Sequence, residues 1–216
     1  MKIIRPTAKI IRPEPTKEAI DAIYKNITLC GTTSYLGEKE LTPEYTRKFV
    51  RQRIEEHHDS VLEHASMTVQ FTVDRGVSHE LVRHRLAAIT QESQRYNNYS
   101  KDKYGNEITV IKPCFFEQGT KQYADWIKAM EACELFYFKL LESGATPEQA
   151  RTVLPNSTKT TVSMTCNMRE WIHIFNLRAA GTTGKPHPQM LEVMVPLLKQ
   201  CQELMPEIFG DIKVVS

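Results

Sequence analysis

Three consecutive basic side chains and the polar loop behind them are the part of this sequence best suited to chemistry. Arg83-His84-Arg85 is followed, after seven residues, by Ser93 and then by Arg95. Guanidinium groups offer paired, permanently charged donors to phosphate oxygens. The same loop carries amides suited to the edge of a nucleobase: Gln91, Gln94 and Asn97. Binding of an anionic nucleotide explains this combination better than covalent catalysis.

The two arginines of the triplet are expected to face opposite sides of a helix. Ser78 is predicted to cap a helix that runs from His79 to Ala88, in which successive side chains turn by about 100°. Arg83 and Arg85 can then serve one small patch only if the helix ends beside them. Otherwise two ligands are involved, and a solvent-exposed basic helix face is the alternative interpretation.

A metal site and a serine nucleophile are both poorly supported. His79-Glu80-Leu81-Val82 resembles the start of an H-E-x-x-H zinc motif, but Arg83 stands where the second histidine is needed. His84 lies about 140° round the helix from His79, so these two cannot share a metal ion. Ser93 lacks the G-x-S-x-G surroundings of a nucleophile elbow. We therefore predict no metal and a hydrogen-bonding role for Ser93.

The periodicity of the sequence predicts an α+β fold. Residues 66–73 and 158–166 alternate between apolar and polar side chains, as half-buried strands do. Further predicted elements are an extended start through Pro15, a strand at 108–111, a loop at 91–104, and helices at about 16–28, 41–57, 123–141, 146–154, 168–180 and 188–205. There is no regular βαβ rhythm and no Rossmann or P-loop glycine motif. We expect a single domain over residues 1–216, with a mixed or antiparallel sheet flanked by long helices.

Composition places the chain among ordinary globular proteins. A net charge of +2 argues against a dedicated nucleic-acid binder. No apolar run approaches the ~20 residues that span a bilayer, and the N-terminus lacks the features of a secretory signal, so a cytoplasmic location is expected. The cysteines are five in number, far apart and without a C-x-x-C pair, which favours buried thiols over disulfides or zinc.

At the triplet the chain resembles the flavin-dependent thymidylate synthases. Their signature is R-H-R, seven residues and S, which here is Arg83-His84-Arg85, LAAITQE and Ser93, followed by Arg95-Tyr96. Three further blocks are similar in the expected order. They are His58–His64 for H-x-[ST]-x-x-E-H, Ala150–Pro155 for A-R-x-x-L-P, and Asn167–Arg178 for N-x-R-x-x-x-H-x-x-x-L-R. The resemblance covers about residues 15–200.

The resemblance implies a particular reaction. Such enzymes transfer a methylene group from methylenetetrahydrofolate to dUMP. Reduced FAD then supplies the hydride that makes the methyl group of dTMP, and NADPH reduces the FAD. No enzyme nucleophile is expected. A homotetramer with active sites shared between subunits is also implied, with neither a nucleic-acid polymer nor a membrane as partner.

The resemblance also implies two sets of ligand contacts. The dUMP contacts are Arg83, Gln91, Ser93, Gln94, Arg95, Arg151 and Arg178. The FAD contacts are His58, Ser60, Glu63, Arg83, His84, Arg85, Asn167, Arg169, His173 and Leu177. Arg178 would stabilise charge that develops on the pyrimidine carbonyls, and Ser93 would act as a dUMP ligand. Arg95 and Arg151 would clamp the 5′-phosphate.

The chain departs from the family pattern in places. Many relatives carry glutamine where this chain has Glu80. Because a carboxylate at this position would repel an anionic nucleotide unless it were protonated or paired with an arginine, Glu80 is left out of the dUMP set. The loop Gly184–Pro188 is also unusual.

Two other interpretations stay open. A metal-dependent nucleotide hydrolase or deaminase would use His58, Glu63 and His64. A nucleic-acid binder would use Arg83, Arg85, Arg95 and Tyr96, and its binding would weaken steeply with salt.

Overall fold

The computed structural model describes residues 1–33, 40–102 and 105–215. The strands are β1 Lys2–Ile4, β2 Thr7–Arg12, β3 Ser66–Asp74, β4 Ala88–Gln91, β5 Thr109–Ile111 and β6 Lys159–Asn167. The α-helices are α1 Lys17–Thr32, α2 Pro43–Glu55, α3 Arg75–Leu81, α4 Lys121–Glu142, α5 Pro147–Ala150, α6 Met168–Arg178, α7 Pro188–Leu204 and α8 Pro206–Phe209. Short 3₁₀ helices cover Asp59–His64 and Arg151–Val153. The predicted α+β class is confirmed.

The sheet is built on the two long alternating strands. Its order is β2-β3-β6-β4 and its strands are antiparallel, whereas β1 and β5 form a separate parallel pair. The apolar side chains of β3 that were predicted to share one face are all buried, and so are Thr160, Val162, Met164 and Cys166 of β6. Burial of one face fixes the register, because a shift by one residue would turn each strand inside out. The alternation predicted for both strands is confirmed.

Side-chain caps set the starts of the main helices. The Thr42 hydroxyl accepts a hydrogen bond from the backbone N–H of Tyr45, and the Thr146 hydroxyl does the same for Gln149. Asn167 Oδ1 accepts from the backbone N–H of Glu170 at 2.8 Å. Caps of this kind satisfy N–H groups that lack a partner within the helix. These helix starts are where the sequence predicts them.

The helix predicted for residues 79–88 is wrong at both ends. The Asp74 carboxylate accepts from the backbone N–H of Val77 at 2.8 Å and caps α3, so the helix begins at Arg75. Ser78 lies inside this helix, where its hydroxyl donates to the Arg75 carbonyl. The helix ends at Leu81.

The end of the same segment is a strand because β6 offers it a partner. Ala88–Gln91 forms β4, which contains the β-branched residues Ile89 and Thr90. Such side chains favour a strand once tertiary pairing is available. Arg83 and Arg85 therefore lie in a turn, so helix periodicity does not set the directions of their side chains. The predicted loop at 91–104 begins after Gln91, and its residues 103 and 104 lie outside the described part of the chain.

The described chain divides into two compact units. The first comprises Met1–Thr7, Phe71–Arg83 and Thr90–Val162, and the second comprises Ala8–Gln70, His84–Ile89 and Ser163–Ser216. The core of the first unit is formed by Tyr99, Ile108, Val110, Trp126, Met130, Tyr137 and Ala150. The assignment of residues 1–216 to a single domain stays a prediction.

Helix α6 lies at the centre of the second unit. Its Trp171 is fully buried and donates from Nε1 to the carbonyl of Met67 in β3 at 2.9 Å. Trp171 and Phe175 have ring centroids 5.6 Å apart, and α6 also packs against α7. Strand and neighbouring helix thus hold α6 from two sides, and that helix carries most of the downstream residues predicted to bind ligands.

Among the described residues, no helix is both long enough and apolar enough to cross a membrane.

Candidate active site

The signature triplet lies in the turn between α3 and β4. Arg83 and Arg85 are exposed, whereas His84 between them is only 6% exposed. Arg83 ends a segment of the first unit, and His84 begins a segment of the second. The three side chains therefore have different surroundings, which the sequence alone does not indicate.

Buried His84 is the centre of a polar cluster in the second unit, together with buried Glu170, half-buried Arg178 and exposed His173. Its Nε2 accepts a hydrogen bond from Nε of Arg178 at 3.2 Å. Its Nδ1 lies 3.8 Å from Oε1 of Glu170. The His173 ring stands nearly perpendicular to it, with centroids 6.4 Å apart. An arginine Nε–H can only donate, so Nε2 must be the unprotonated nitrogen of a neutral ring.

The surroundings keep His84 neutral. Burial, the positive charge of Arg178 and the neighbouring His173 together lower its pKa to about 4, and burial is the largest of the three causes. The Glu170 carboxylate on the other side favours the protonated ring, but it does not offset these effects. At neutral pH the imidazole therefore remains an acceptor for Arg178.

This depressed pKa predicts a loss of stability in acid. The unfolded chain titrates His84 near pH 6.5, above its folded value, so the unfolded state takes up the proton first as the pH falls. Between pH 7 and pH 4.5 the wild type is expected to lose on the order of 2 kcal/mol of unfolding free energy more than His84→Gln, whose amide cannot titrate. Urea unfolding of both proteins at the two pH values measures this difference. Equal losses in the two proteins would contradict the assignment.

Helix α6 also lines a cavity of about 790 Å³ in the second unit. Arg169, His173 and Asn176 of α6 line it. Other lining residues come from the end of α2, from the segment that follows α2 and from the C-terminal segment: Ile54, Glu55, His57, Asp59, Ile208, Asp211, Ile212 and Lys213. Cavities of a few hundred to about 1,000 Å³ are typical of cofactor sites. Among the cavity carboxylates, Asp211 already pairs with Arg51 at 2.8 Å. Basic and amide donors on one helix face and a cavity of this size fit a dinucleotide such as FAD.

The other predicted FAD contacts have mixed surroundings. Arg169 Nη1 pairs with Glu63 Oε1 at 2.6 Å, which brings together two blocks that are far apart in sequence. His58 and Ser60 are exposed, and Leu177 is half-buried. Because Asn167 Oδ1 is used to cap α6, the amide nitrogen of Asn167 is the part that could donate to a cofactor.

In the first unit, two of the predicted dUMP contacts meet one glutamate. Arg95 Nε lies 2.7 Å from Glu148 Oε1, and Arg151 Nε donates to the Glu148 carbonyl at 3.2 Å. Ser93 Oγ accepts from the backbone N–H of Arg95. The Glu148 carboxylate lies beside Arg95, whereas the Arg151 guanidinium contacts the backbone carbonyl of Glu148, so the position beside Arg95 can accommodate an anionic group.

The amides of the polar loop are held in different ways. Gln91, the last residue of β4, donates from Nε2 to Ser78 Oγ at 2.9 Å and to Thr160 Oγ1 at 3.2 Å. Gln94 is half-buried in the turn that follows. Within the first unit the structure thus brings Ser93, Arg95 and Arg151 close to one another through Glu148, and it orients Gln91 separately.

Three glutamates contact residues of the candidate site, although sequence patterns do not identify them. Glu148 binds Arg95, and Glu170 faces His84. Glu92 accepts from Lys159 Nζ at 2.7 Å and from the Asn97 amide at 2.9 Å, which joins the loop to β6. Glu148 and Glu170 both lie in the first turn of a helix, where acidic residues are common for helix stability alone. Only their contacts distinguish them from ordinary helix starts.

The residues needed by a metal-dependent hydrolase are not assembled. Within 1–33, 40–102 and 105–215, no group of three or more histidine, cysteine, aspartate or glutamate side chains could hold a metal ion. Glu63, one of the proposed ligands, is instead engaged by Arg169.

Taken together, these features define an α+β protein with candidate sites for anionic ligands. Residues 14–207 match the family model described as thymidylate synthase complementing protein, and the chain belongs to this family. The family resemblance inferred from the signature and the three accompanying blocks is confirmed.

Named relatives are similar over most of the chain. A flavin-dependent thymidylate synthase of Geobacter sulfurreducens is 32% identical over 205 residues, covering 94% of this chain and 84% of that protein. The enzyme of the same name from Pyrococcus furiosus is 34% identical over 165 residues, covering 71% and 65%. The crystal structure of a UMP/dUMP methylase from Streptomyces cacaoi, bound with 5-Br dUMP, has the same fold with a TM-score of 0.76. It is 23% identical to this chain and covers 97% of it and 96% of the methylase.

Proposed function

We propose that this chain is a flavin-dependent thymidylate synthase, which converts dUMP to dTMP with methylenetetrahydrofolate as the one-carbon donor. One observation carries the proposal. The hydrogen bond from Arg178 to His84 joins the middle of the signature to the end of the downstream block, across 94 residues of sequence. Membership of the family and the names of the relatives support the same function.

The nucleotide would be held by the dUMP set predicted from the sequence. Arg95 and Arg151 would bind the 5′-phosphate, and their common neighbour Glu148 supports this role because it shows that an anionic group fits beside Arg95. A phosphate offers more charge and more acceptors than a carboxylate, so it can displace Glu148 from Arg95. Gln91 and Ser93 would then bind the uracil ring or the sugar.

The cofactor would be held by the second unit. Arg169 and His173 would bind the phosphates of FAD in the cavity beside α6, with His58, Ser60, Arg85 and the amide nitrogen of Asn167 as further donors. Bound reduced flavin supplies the hydride of the reaction, and NADPH regenerates it. The protein contributes binding, orientation and exclusion of water.

Arg178 would act on the pyrimidine by electrostatics. A guanidinium placed beside the carbonyls stabilises negative charge as it develops there, and it needs no reorganisation when the reaction occurs. An enzyme nucleophile is not part of this proposal. Two of the cysteines are consistent with that: burial raises the pKa of the Cys201 thiol to about 12 and raises the pKa of Cys166 as well, so both remain thiols at neutral pH.

The active form would be a cytoplasmic homotetramer with sites shared between subunits. Exposed apolar side chains support an association of this kind, since Val82 and Leu86 flank the signature triplet and Leu135 and Phe136 lie together on α4. Apolar groups next to a predicted site are typical of surfaces that become covered.

The purified protein is expected to be yellow and to release FAD on denaturation. Arg169→Ala should weaken FAD binding about tenfold or more, because a charge-assisted hydrogen bond to a phosphate contributes about 1.5–3 kcal/mol. Titration of the apoprotein with FAD, followed by flavin fluorescence, measures the affinity. Formation of dTMP from dUMP, methylenetetrahydrofolate and NADPH measures the activity.

Arg12→Ala is the matched control for the FAD titration. Arg12 also forms an exposed pair with a glutamate, Glu14, at 2.6 Å, but it is not among the residues that line the cavity. Its loss should leave FAD affinity unchanged. Protein that is colourless and takes up no added FAD would be incompatible with the proposed function.

A further inference from the structure

We propose that Glu170 is a positioning residue, which orients the His84 ring and through it the guanidinium of Arg178. The link to catalysis rests on the function proposed above for Arg178. The link from Glu170 to His84 rests on geometry alone and can be tested without turnover.

The first observation is that Glu170 is buried. Its exposure is 8%, although it lies in the first turn of a helix, where glutamate is normally in contact with solvent. A buried carboxylate costs several kcal/mol unless charges or donors compensate it. The start of α6 supplies part of that compensation through the helix dipole. Nδ1 of His84 lies 3.8 Å from the carboxylate, and the thiol of Cys166 is also close enough for Glu170 to raise its pKa.

The second observation is that the cap of α6 does not need this carboxylate. In a capping box, the glutamate three residues after the cap would bend back to the backbone N–H of the capping residue. In α6 the Asn167 side chain accepts from the Glu170 backbone, and the Glu170 side chain faces His84 instead. The orientation of the carboxylate is therefore explained by the histidine and not by helix capping.

The third observation concerns the proton on His84. Nε2 accepts from Arg178, so the neutral ring carries its proton on Nδ1, the nitrogen that faces Glu170. The distance exceeds that of a hydrogen bond, so the carboxylate acts on the Nδ1–H through its charge. It favours the tautomer that presents a lone pair to Arg178 over the tautomer that would present an N–H. Carboxylates orient metal-bound histidines in the same way.

The orientation of the His84 ring also affects Arg178, because the guanidinium of Arg178 is planar. A hydrogen bond at Nε restricts the rotation of that plane, and the plane decides where the two Nη groups point. Glu170, His84 and Arg178 thus form a chain in which each group orients the next. A group held in this way can meet developing charge without first rearranging.

The first test is nitrogen-15 NMR of the holoenzyme labelled at histidine, with the His84 signals assigned by comparison with His84→Gln. The wild type is expected to show a proton on Nδ1 of His84. Glu170→Gln should show a mixture of both tautomers, because an amide can donate to Nδ1 as well as accept from it. A wild-type protein protonated on Nε2, or an unchanged tautomer in Glu170→Gln, would overturn the proposal.

The second test is steady-state kinetics of dTMP formation. Glu170→Met, which has similar length and no acceptor, should lower kcat about tenfold or more with little change in the KM for dUMP or in FAD content. In a His84→Gln background the same substitution should have no further effect on kcat, since the chain is already broken. Full kcat in Glu170→Met, or an additive loss in the double variant, would refute the positioning role.

Glu44→Met is the matched control. Glu44 also lies in the first turn of a helix, α2, but it is exposed. The Glu44→Met variant loses the same kind of favourable interaction with the helix dipole, so it measures the effect of that loss on stability. Its kcat should remain that of the wild type. If Glu170→Met does not fold, the tautomer of Glu170→Gln decides the question. If the wild type forms no dTMP, the proposed function fails while the NMR result still tests the contact between Glu170 and His84.

Discussion

Arg178→Ala is expected to remain folded and yellow but to form dTMP with a kcat lower by about a factor of 100 to 1,000. Arg178 ends α6, is half-buried, and donates from Nε to His84 at 3.2 Å. It is not among the residues that line the cavity assigned to FAD, so flavin should be retained. The variant would lose a favourable charge near the helix C-terminus, which contributes about 0.3–1 kcal/mol, and the hydrogen bond to His84, so a moderate loss of stability is expected.

The ratio of kinetic constants distinguishes the role of Arg178 from simple substrate binding. Loss of an interaction made only in the transition state lowers kcat and kcat/KM equally, whereas loss of uniform binding raises KM alone. Arg178→Lys is the matched variant, because it keeps the charge but lacks the Nε donor and the planar group. Its kcat should lie between those of the wild type and the alanine variant. Wild-type turnover in Arg178→Ala would rule out the role assigned here.

Trp171→Ala is expected to lower the unfolding free energy by about 4 kcal/mol. The side chain is fully buried, and its indole N–H donates to the Met67 carbonyl at 2.9 Å. Removal of the ring leaves a cavity beside Phe175 and a buried carbonyl without its donor, and both effects are destabilising. Urea unfolding followed by far-ultraviolet circular dichroism measures the change.

Trp171→Phe separates the two contributions. It keeps most of the ring volume and loses the hydrogen bond, so a loss of about 1–3 kcal/mol is expected. Leu135→Ala serves as the control for truncation of an apolar side chain, because Leu135 is 51% exposed and should change stability by no more than about 0.5 kcal/mol. If Trp171→Ala were destabilised no more than Leu135→Ala, the predicted contribution of Trp171 to the unfolding free energy would be refuted.

Both predictions concern α6, whose buried side chains and cavity-lining side chains lie on opposite sides of the helix. Trp171, Ile174 and Phe175 of α6 are buried in the core of the second unit, whereas Arg169 and His173 face the cavity. Packing on one side therefore fixes the position of the charged groups on the other. Substitutions in this core should change the position of ligand-binding groups as well as stability.

Much of the local structure could be predicted from the sequence because it depends on neighbouring residues. The alternation in β3 and β6 identifies both strands and their buried faces, and Asn167 marks the start of α6. Local sequence patterns do not predict secondary structure correctly where that structure depends on pairing with a distant segment. Residues 88–91 have no strong local preference and become a strand because β6 lies beside them.

By itself, the sequence determined the fold class, most helices and strands, and the family, since the signature and its three accompanying blocks are matters of residue type and spacing. The ligand contacts assigned by resemblance stay predictions. Only the tertiary structure decided that the triplet lies in a turn, that His84 is buried against Arg178, and that Glu170 faces the other side of its ring. The physical reason is that burial and the protonation of a histidine depend on groups brought together from distant segments. Before those groups are placed, a buried glutamate in the first turn of a helix looks like any other helix start.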